Sequence, residues 1–156
     1  RVLAQTNEAV LQQIDDARFC TAAYLRVEVD RSSGGRARVS ASSAGHPRPV
    51  LVRRDGAAEF LDCAGTLLGV VSEPVLQDID VELGPGDAVV LYTDGVTEAR
   101  QGNELFGEDR LVATLAGLAG RPAEEMASAL EAEVVAFRGS ASDDTAILVV
   151  QVVAPA

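Results

Sequence analysis

The chain has 156 residues, 47% of them hydrophobic and 24% charged, with 24 acidic against 13 basic side chains and a formal net charge of −11. This is the profile of a single globular domain with one core, and its negative surface repels a nucleic-acid backbone, which excludes nucleic acid as the expected partner. No stretch approaches the roughly 18 to 20 apolar residues of a membrane span and no basic-then-apolar leader opens the chain, so the expected setting is cytoplasmic.

From Val2 to Ile14 the apolar residues Val2, Leu3, Val10, Leu11 and Ile14 recur at a helical period, with Asn7, Glu8, Gln12 and Gln13 on the polar positions. The helix starts without an N-cap, which raises the expectation that residues 1–156 are the C-terminal part of one domain whose front lies upstream. Two alternating runs, Phe19 to Val29 and Arg36 to Ser43, flank Ser32-Ser33-Gly34-Gly35 and predict a β-hairpin. A second hairpin is predicted around Asp55-Gly56, between Val50–Arg53 and an extended stretch at Phe60 to Cys63. Val75 to Leu83 alternates again, Gly84-Pro85-Gly86-Asp87 turns the chain, and Ala88 to Tyr92 is apolar enough for a strand covered on both faces.

Helices follow. Leu111, Leu115 and Leu118 mark one, ended by Gly117 and Gly120. Pro122 with Glu124 and Glu125 opens the next, whose buried face is Met126, Leu130, Val134 and Phe137 and whose end is near Arg138. Gly139 to Asp144 is a polar loop, and Ala146 to Val153 is an apolar strand expected at the centre of a sheet. Antiparallel strands, two helices and a closing strand describe an α+β layered domain. Phosphate-binding signatures of the GxGxxG or GxxxxGK[ST] kind are missing, which removes the usual support for kinase or dehydrogenase chemistry. Cys20 and Cys63 lie in apolar runs without metal-ligand spacing and are expected to be buried, reduced thiols.

Two acidic strand ends carry the candidate chemistry. Val89-Val90-Leu91-Tyr92-Thr93-Asp94-Gly95-Val96 drives a buried strand into a carboxylate followed by glycine, and Ser142-Asp143-Asp144-Thr145 places adjacent carboxylates just before the last strand. Taken alone, the Asp94 segment reads better as an ordinary strand-ending turn, and the Asp143-Asp144 segment reads equally well as a solvated acidic turn. If the two strands are neighbours, Asp94 and Asp143 reach the same sheet edge, where oxygen ligands suit Mg²⁺ or Mn²⁺ and a metal pair could serve phosphomonoester hydrolysis. His46, the sole histidine, sits in a proline-stiffened turn where a general-acid role competes with the commoner packed, hydrogen-bonded one, and for Arg48 attraction of a phosphate competes with the commoner role of a solvated loop arginine.

In order along the chain, Phe19-Cys20-Thr21-Ala22-Ala23-Tyr24, Ser43-Ala44-Gly45-His46-Pro47, Gly65-Thr66-Leu67-Leu68-Gly69, Gly86-Asp87 with Leu91 to Ala99, Glu104-Leu105-Phe106-Gly107 and Ser142 to Leu148 resemble the PPM metal-dependent protein phosphatases, within them the bacterial SpoIIE/RsbU-like branch. The resemblance implies a four-layer αββα sandwich of antiparallel sheets flanked by helices. It also implies a two-metal centre with Mn²⁺ or Mg²⁺ and hydrolysis of phosphoserine or phosphothreonine by a metal-bridged water. On that pattern Asp94 and Asp143 are the metal ligands and catalytic residues, Asp144 supports them, and His46 is structural. The implied partner is a phosphorylated anti-sigma-factor antagonist, and a homodimer is an open expectation. An early Gly-Asp-Val-x-Gly-like segment is not found, so the fold is expected to be incomplete at the N-terminus and the chain alone to bind metal poorly. The competing readings are a non-catalytic regulatory or scaffolding module with a phosphatase fold and, more weakly, an unrelated metal-binding hydrolase.

Overall fold

The computed structural model of the protein describes residues 1–12, 19–30, 34–138 and 144–154. Helix α1 (Val2–Gln12) is followed by the hairpin β1 (Ala22–Asp30) and β2 (Arg36–Ala44), then by the short strands β3 (Val50–Val52) and β4 (Ala58–Phe60). Next come β5 (Asp78–Leu83), β6 (Ala88–Tyr92), the single-turn α2 (Asp94–Thr97), and the two-residue strands β7 (Arg100–Gln101) and β8 (Glu104–Leu105). The chain then forms α3 (Gly107–Gly117), α4 (Ala123–Arg138) and β9 (Ile147–Gln151).

The strands form two principal antiparallel sheets, β1-β2-β5 and β4-β3-β6-β9, with β7-β8 as a small separate ribbon. Strand alternation decides what lies between the layers. Val39, Ala41 and Leu83 of the first sheet meet Leu51 and Val89 of the second, with Leu61 and Cys63 beside them, to form the inner core. The opposite faces of the same central strands, Val50, Val52, Ala88, Val90 and Tyr92, pack against Leu111, Leu115, Met126, Leu130 and Val134 of α3 and α4. Because β6 is covered on both faces, its sequence is apolar without alternation, as the αββα layering expects.

Helix α1 closes the far side, where Leu3 packs on Ala44 and Leu68. Asn7, expected on the polar side of α1, is instead fully buried. Its Nδ2 donates to the carbonyl of Val71 at 2.9 Å and its Oδ1 accepts from the Gly69 N–H at 2.8 Å, so the helix is tied to a loop more than 60 residues away. A buried amide is tolerated when it is paired in this way.

Three further expectations are corrected. β9 is an edge strand, paired only with β6 among the described residues, and Leu148 is 59% exposed. Its apolar sequence reflects Ile147 and Val149 packing toward the helical layer rather than flanking strands on both sides. Cys63 is buried, but Cys20 is exposed, since it only forms an isolated bridge to Leu68 at the margin of the first sheet. β5 begins at Asp78 rather than Val75, which is 74% exposed. Among the described residues no helix is long and apolar enough to cross a membrane.

Candidate active site at the ends of β6 and β9

The antiparallel register pairs Ala88 with Gln151 and Tyr92 with Ile147, so the end of β6 and the start of β9 share one edge of the sheet. Thr93 extends the pairing beyond the strands. Its N–H donates to the Ala146 carbonyl at 3.0 Å, its Oγ1 accepts from the Ala146 N–H at 2.9 Å, and its hydroxyl donates to the Asp144 carbonyl at 3.1 Å. From α4, Arg138 Nη1 donates to Thr145 Oγ1 at 3.0 Å.

Gly95 fits this junction for a steric reason. It is not among the glycines with positive φ, so conformational freedom is not what the position requires. A Cβ at Gly95 would lie 2.7 Å from the Asp144 carbonyl oxygen, closer than such atoms can approach. The bare backbone of α2 thus lets the start of β9 lie against it. Asp94, the first residue of α2, is exposed, and its carbonyl accepts the Glu98 N–H at 2.8 Å. Asp143 lies outside the described residues; its neighbour Asp144 is the residue seated on Gly95.

Asp94 borders a cavity of about 520 Å³ whose lining includes Thr21, His46, Arg48, Tyr92, Glu98 and Glu108. His46 behaves as expected of a packed turn residue: Nδ1 is 3.2 Å from Thr21 Oγ1 and its carbonyl accepts from Ser43 Oγ at 2.7 Å. Burial, reinforced by the Glu108 carboxylate and only partly offset by Arg48, pushes the Tyr92 phenol up to about 12. Tyr92 is therefore a neutral hydroxyl at the cavity wall. Burial likewise raises the Cys63 thiol, which makes it a poor nucleophile. The contributions of Tyr92, Glu98 and Glu108 escaped the sequence reading because no local signal connects three separate elements to one cavity.

Hard divalent cations prefer about six to eight oxygen donors, and the cavity offers oxygen donors of that kind. Asp94 is well placed, but among the described residues no group of three or more His, Cys, Asp or Glu side chains converges to hold a metal ion. The donor chemistry fits Mg²⁺ or Mn²⁺, while the described donors alone are too few for a complete site.

The layered fold is that of PP2C/PPM phosphatase domains. The SiaA-PP2C domain of Pseudomonas aeruginosa superposes with a TM-score of 0.78 at 25% identity, covering 96% of this chain and 59% of that one. The RsbU and RsbW domains of Rv1364c from Mycobacterium tuberculosis give a TM-score of 0.70 at 26% identity, covering 96% and 40%. Phosphoserine phosphatase RsbU of Bacillus subtilis (strain 168) is 32% identical over 104 residues, which is 66% of this chain and 30% of RsbU. The chain belongs to the family described as Stage II sporulation protein E (SpoIIE), which matches residues 1–153.

Proposed function

We propose that the chain is part of a metal-dependent protein serine/threonine phosphatase that removes phosphate from phosphoserine or phosphothreonine, with Asp94 and Asp143 holding Mn²⁺ or Mg²⁺. The observation that carries this reading is the Thr93–Ala146 junction, which with Gly95 brings the ends of β6 and β9 together. Asp94 and the Asp144–Thr145 segment then lie at one edge of one sheet, which supports the assignment of Asp143 to the same edge. Divalent ions bound there would supply charge neutralisation of the phosphoryl group and activation of water. The chain's own contribution is placement: a rigid strand end presents Asp94, and Arg138 and Thr93 fix the segment that follows Asp143.

The substrate class follows from kinship with a phosphoserine phosphatase, and the partner we propose is a phosphorylated anti-sigma-factor antagonist in cytoplasmic bacterial signalling. The described donors do not complete a centre, and we propose that carboxylates outside the described residues do so. The second reading, a regulatory module without catalysis, draws on the incomplete donor set among the described residues.

Release of phosphate from a phosphoserine protein by the natural protein in Mn²⁺ tests the choice. Asp94→Asn and Asp143→Asn should each lower kcat by more than about a hundredfold, beyond the effect of a residue that merely orients a ligand. An inactive wild-type protein in every divalent metal would favour the regulatory module.

A further inference from the structure

Resting on the phosphatase reading, we propose that Arg48 receives the phosphoryl group in the Asp94 cavity and that Glu108 holds it in a waiting position until substrate arrives. Three carboxylates, Asp94, Glu98 and Glu108, line this cavity, and Arg48 is its only lysine or arginine among the described residues. A phosphate monoester carries one to two negative charges, and even with Asp94 engaged by a divalent ion it meets Glu98 and Glu108, so a cation on the cavity wall assists its entry. A guanidinium suits the task better than an ammonium, because its fork can give two parallel N–H donors to a phosphoryl group.

The setting of Arg48 leaves it available. Pro47 and Pro49 flank it and restrict the backbone, while the guanidinium carbon lies 4.8 Å from the centre of the Phe60 ring. Its polar contact with Glu108 is a single one, Nη2 to Oε2 at 3.5 Å, between side chains that are 39% and 55% exposed. So long and exposed a pair contributes little to stability. Glu108 also has a second reason for its position, since it lies in the first turn of α3, where the helix dipole favours a carboxylate. Phe60 therefore backs the guanidinium, and Glu108 can give it up to a phosphoryl group at small cost.

Two measurements test the assignment. Inorganic phosphate is titrated into the chain in the presence of Mg²⁺, with binding followed by NMR shifts of residues around the cavity. Relative to the wild type, Arg48→Ala should weaken phosphate on the order of tenfold, Arg48→Lys should recover part of the loss, and Glu108→Gln should tighten it. In the natural protein the same order of variants should appear in KM for a phosphoserine protein. Identical phosphate titrations for wild type, Arg48→Ala and Glu108→Gln, or no phosphate binding by the wild type, would overturn the assignment. So would a shared loss of thermal stability in both variants with KM unmoved, the mark of a purely structural latch. If the natural protein hydrolyses no phosphoprotein, the phosphatase reading fails, and the phosphate titration still decides the role of Arg48.

Discussion

Over the β4-β3-β6-β9 sheet, α3 and α4 lay down Leu111, Leu115, Met126, Leu130 and Val134, all fully buried against an apolar sheet face. On the other side of the sandwich α1 contributes one largely buried leucine, Leu3, and a fully buried Asn7 whose amide holds Gly69 and Val71. The first layer is closed by dry packing, which is insensitive to the hydrogen-bonding state of any one group. The second depends on two hydrogen bonds whose loss would strand polar backbone. Since β6 belongs to the dry layer, the strand that presents Asp94 sits on the more rigid half of the molecule.

The largest expected effect is on the dry side. Leu130→Ala should cost about 2–5 kcal/mol in urea unfolding, as a full-length buried side chain is replaced by a cavity. Leu3→Ala, at the edge of a small cluster, should fall at or below the bottom of that range; equal losses for the two leucines would erase the distinction between the layers. Next comes the junction itself, where Gly95→Val should cost about 1–3 kcal/mol because the added atoms collide with the Asp144 carbonyl. Hydrogen exchange should also show earlier loss of protection at the Thr93 and Ala146 amides than elsewhere in the sheet. Retained protection there would mean that Gly95 does not set the approach of β9.

On the α1 side, Asn7→Leu keeps the branched four-atom shape but leaves the Gly69 N–H and the Val71 carbonyl without their partner, for an expected loss of about 1–3 kcal/mol. A loss of only a few tenths would show that α1 is held by packing after all. The smallest effect expected is a pH slope from Asp87, in the turn before β6. Partial burial raises its carboxyl, but the N–H groups of Arg54 and Gly84 and the Arg53 guanidinium outweigh that and hold it below the ordinary 3.8. A depressed folded-state pKa means stability that is present above about pH 4 and lost as pH falls through the folded value. Asp87→Asn should flatten the acid limb of the stability curve, and an unchanged limb would remove Asp87 from the account.

Much of the layering could be read from periodicity. Leu111 and Leu115, or Met126, Leu130 and Val134, announce helical faces by spacing alone, and the unbroken apolar run of Ala88 to Tyr92 announces a strand covered on both sides. Those signals are local, and each depends on one element. What escaped the sequence depends on distant partners. Asn7 looks like a solvated position until the loop at Gly69 and Val71 is brought to it. The apolar β9 looks central until its pairing shows a single neighbour, and Gly95 looks like a turn residue until Asp144 is found against it. Asp94 was legible as the carboxylate that ends a buried strand, although an ordinary acidic turn reads the same locally. The cavity around it was not, because Arg48 and Glu108 come together across 60 residues.

The most direct measurement of the central claim is Mn²⁺-induced broadening of amide signals in the isotopically labelled chain, which detects even weak binding. The account predicts that the signals of Gly95, Val96, Asp144 and Thr145 broaden together at low Mn²⁺, and that both Asp94→Asn and Asp143→Asn abolish the effect while leaving the remaining spectrum intact. Broadening that spares these amides, or that persists in Asp94→Asn, would contradict a metal site built where β6 ends and β9 begins.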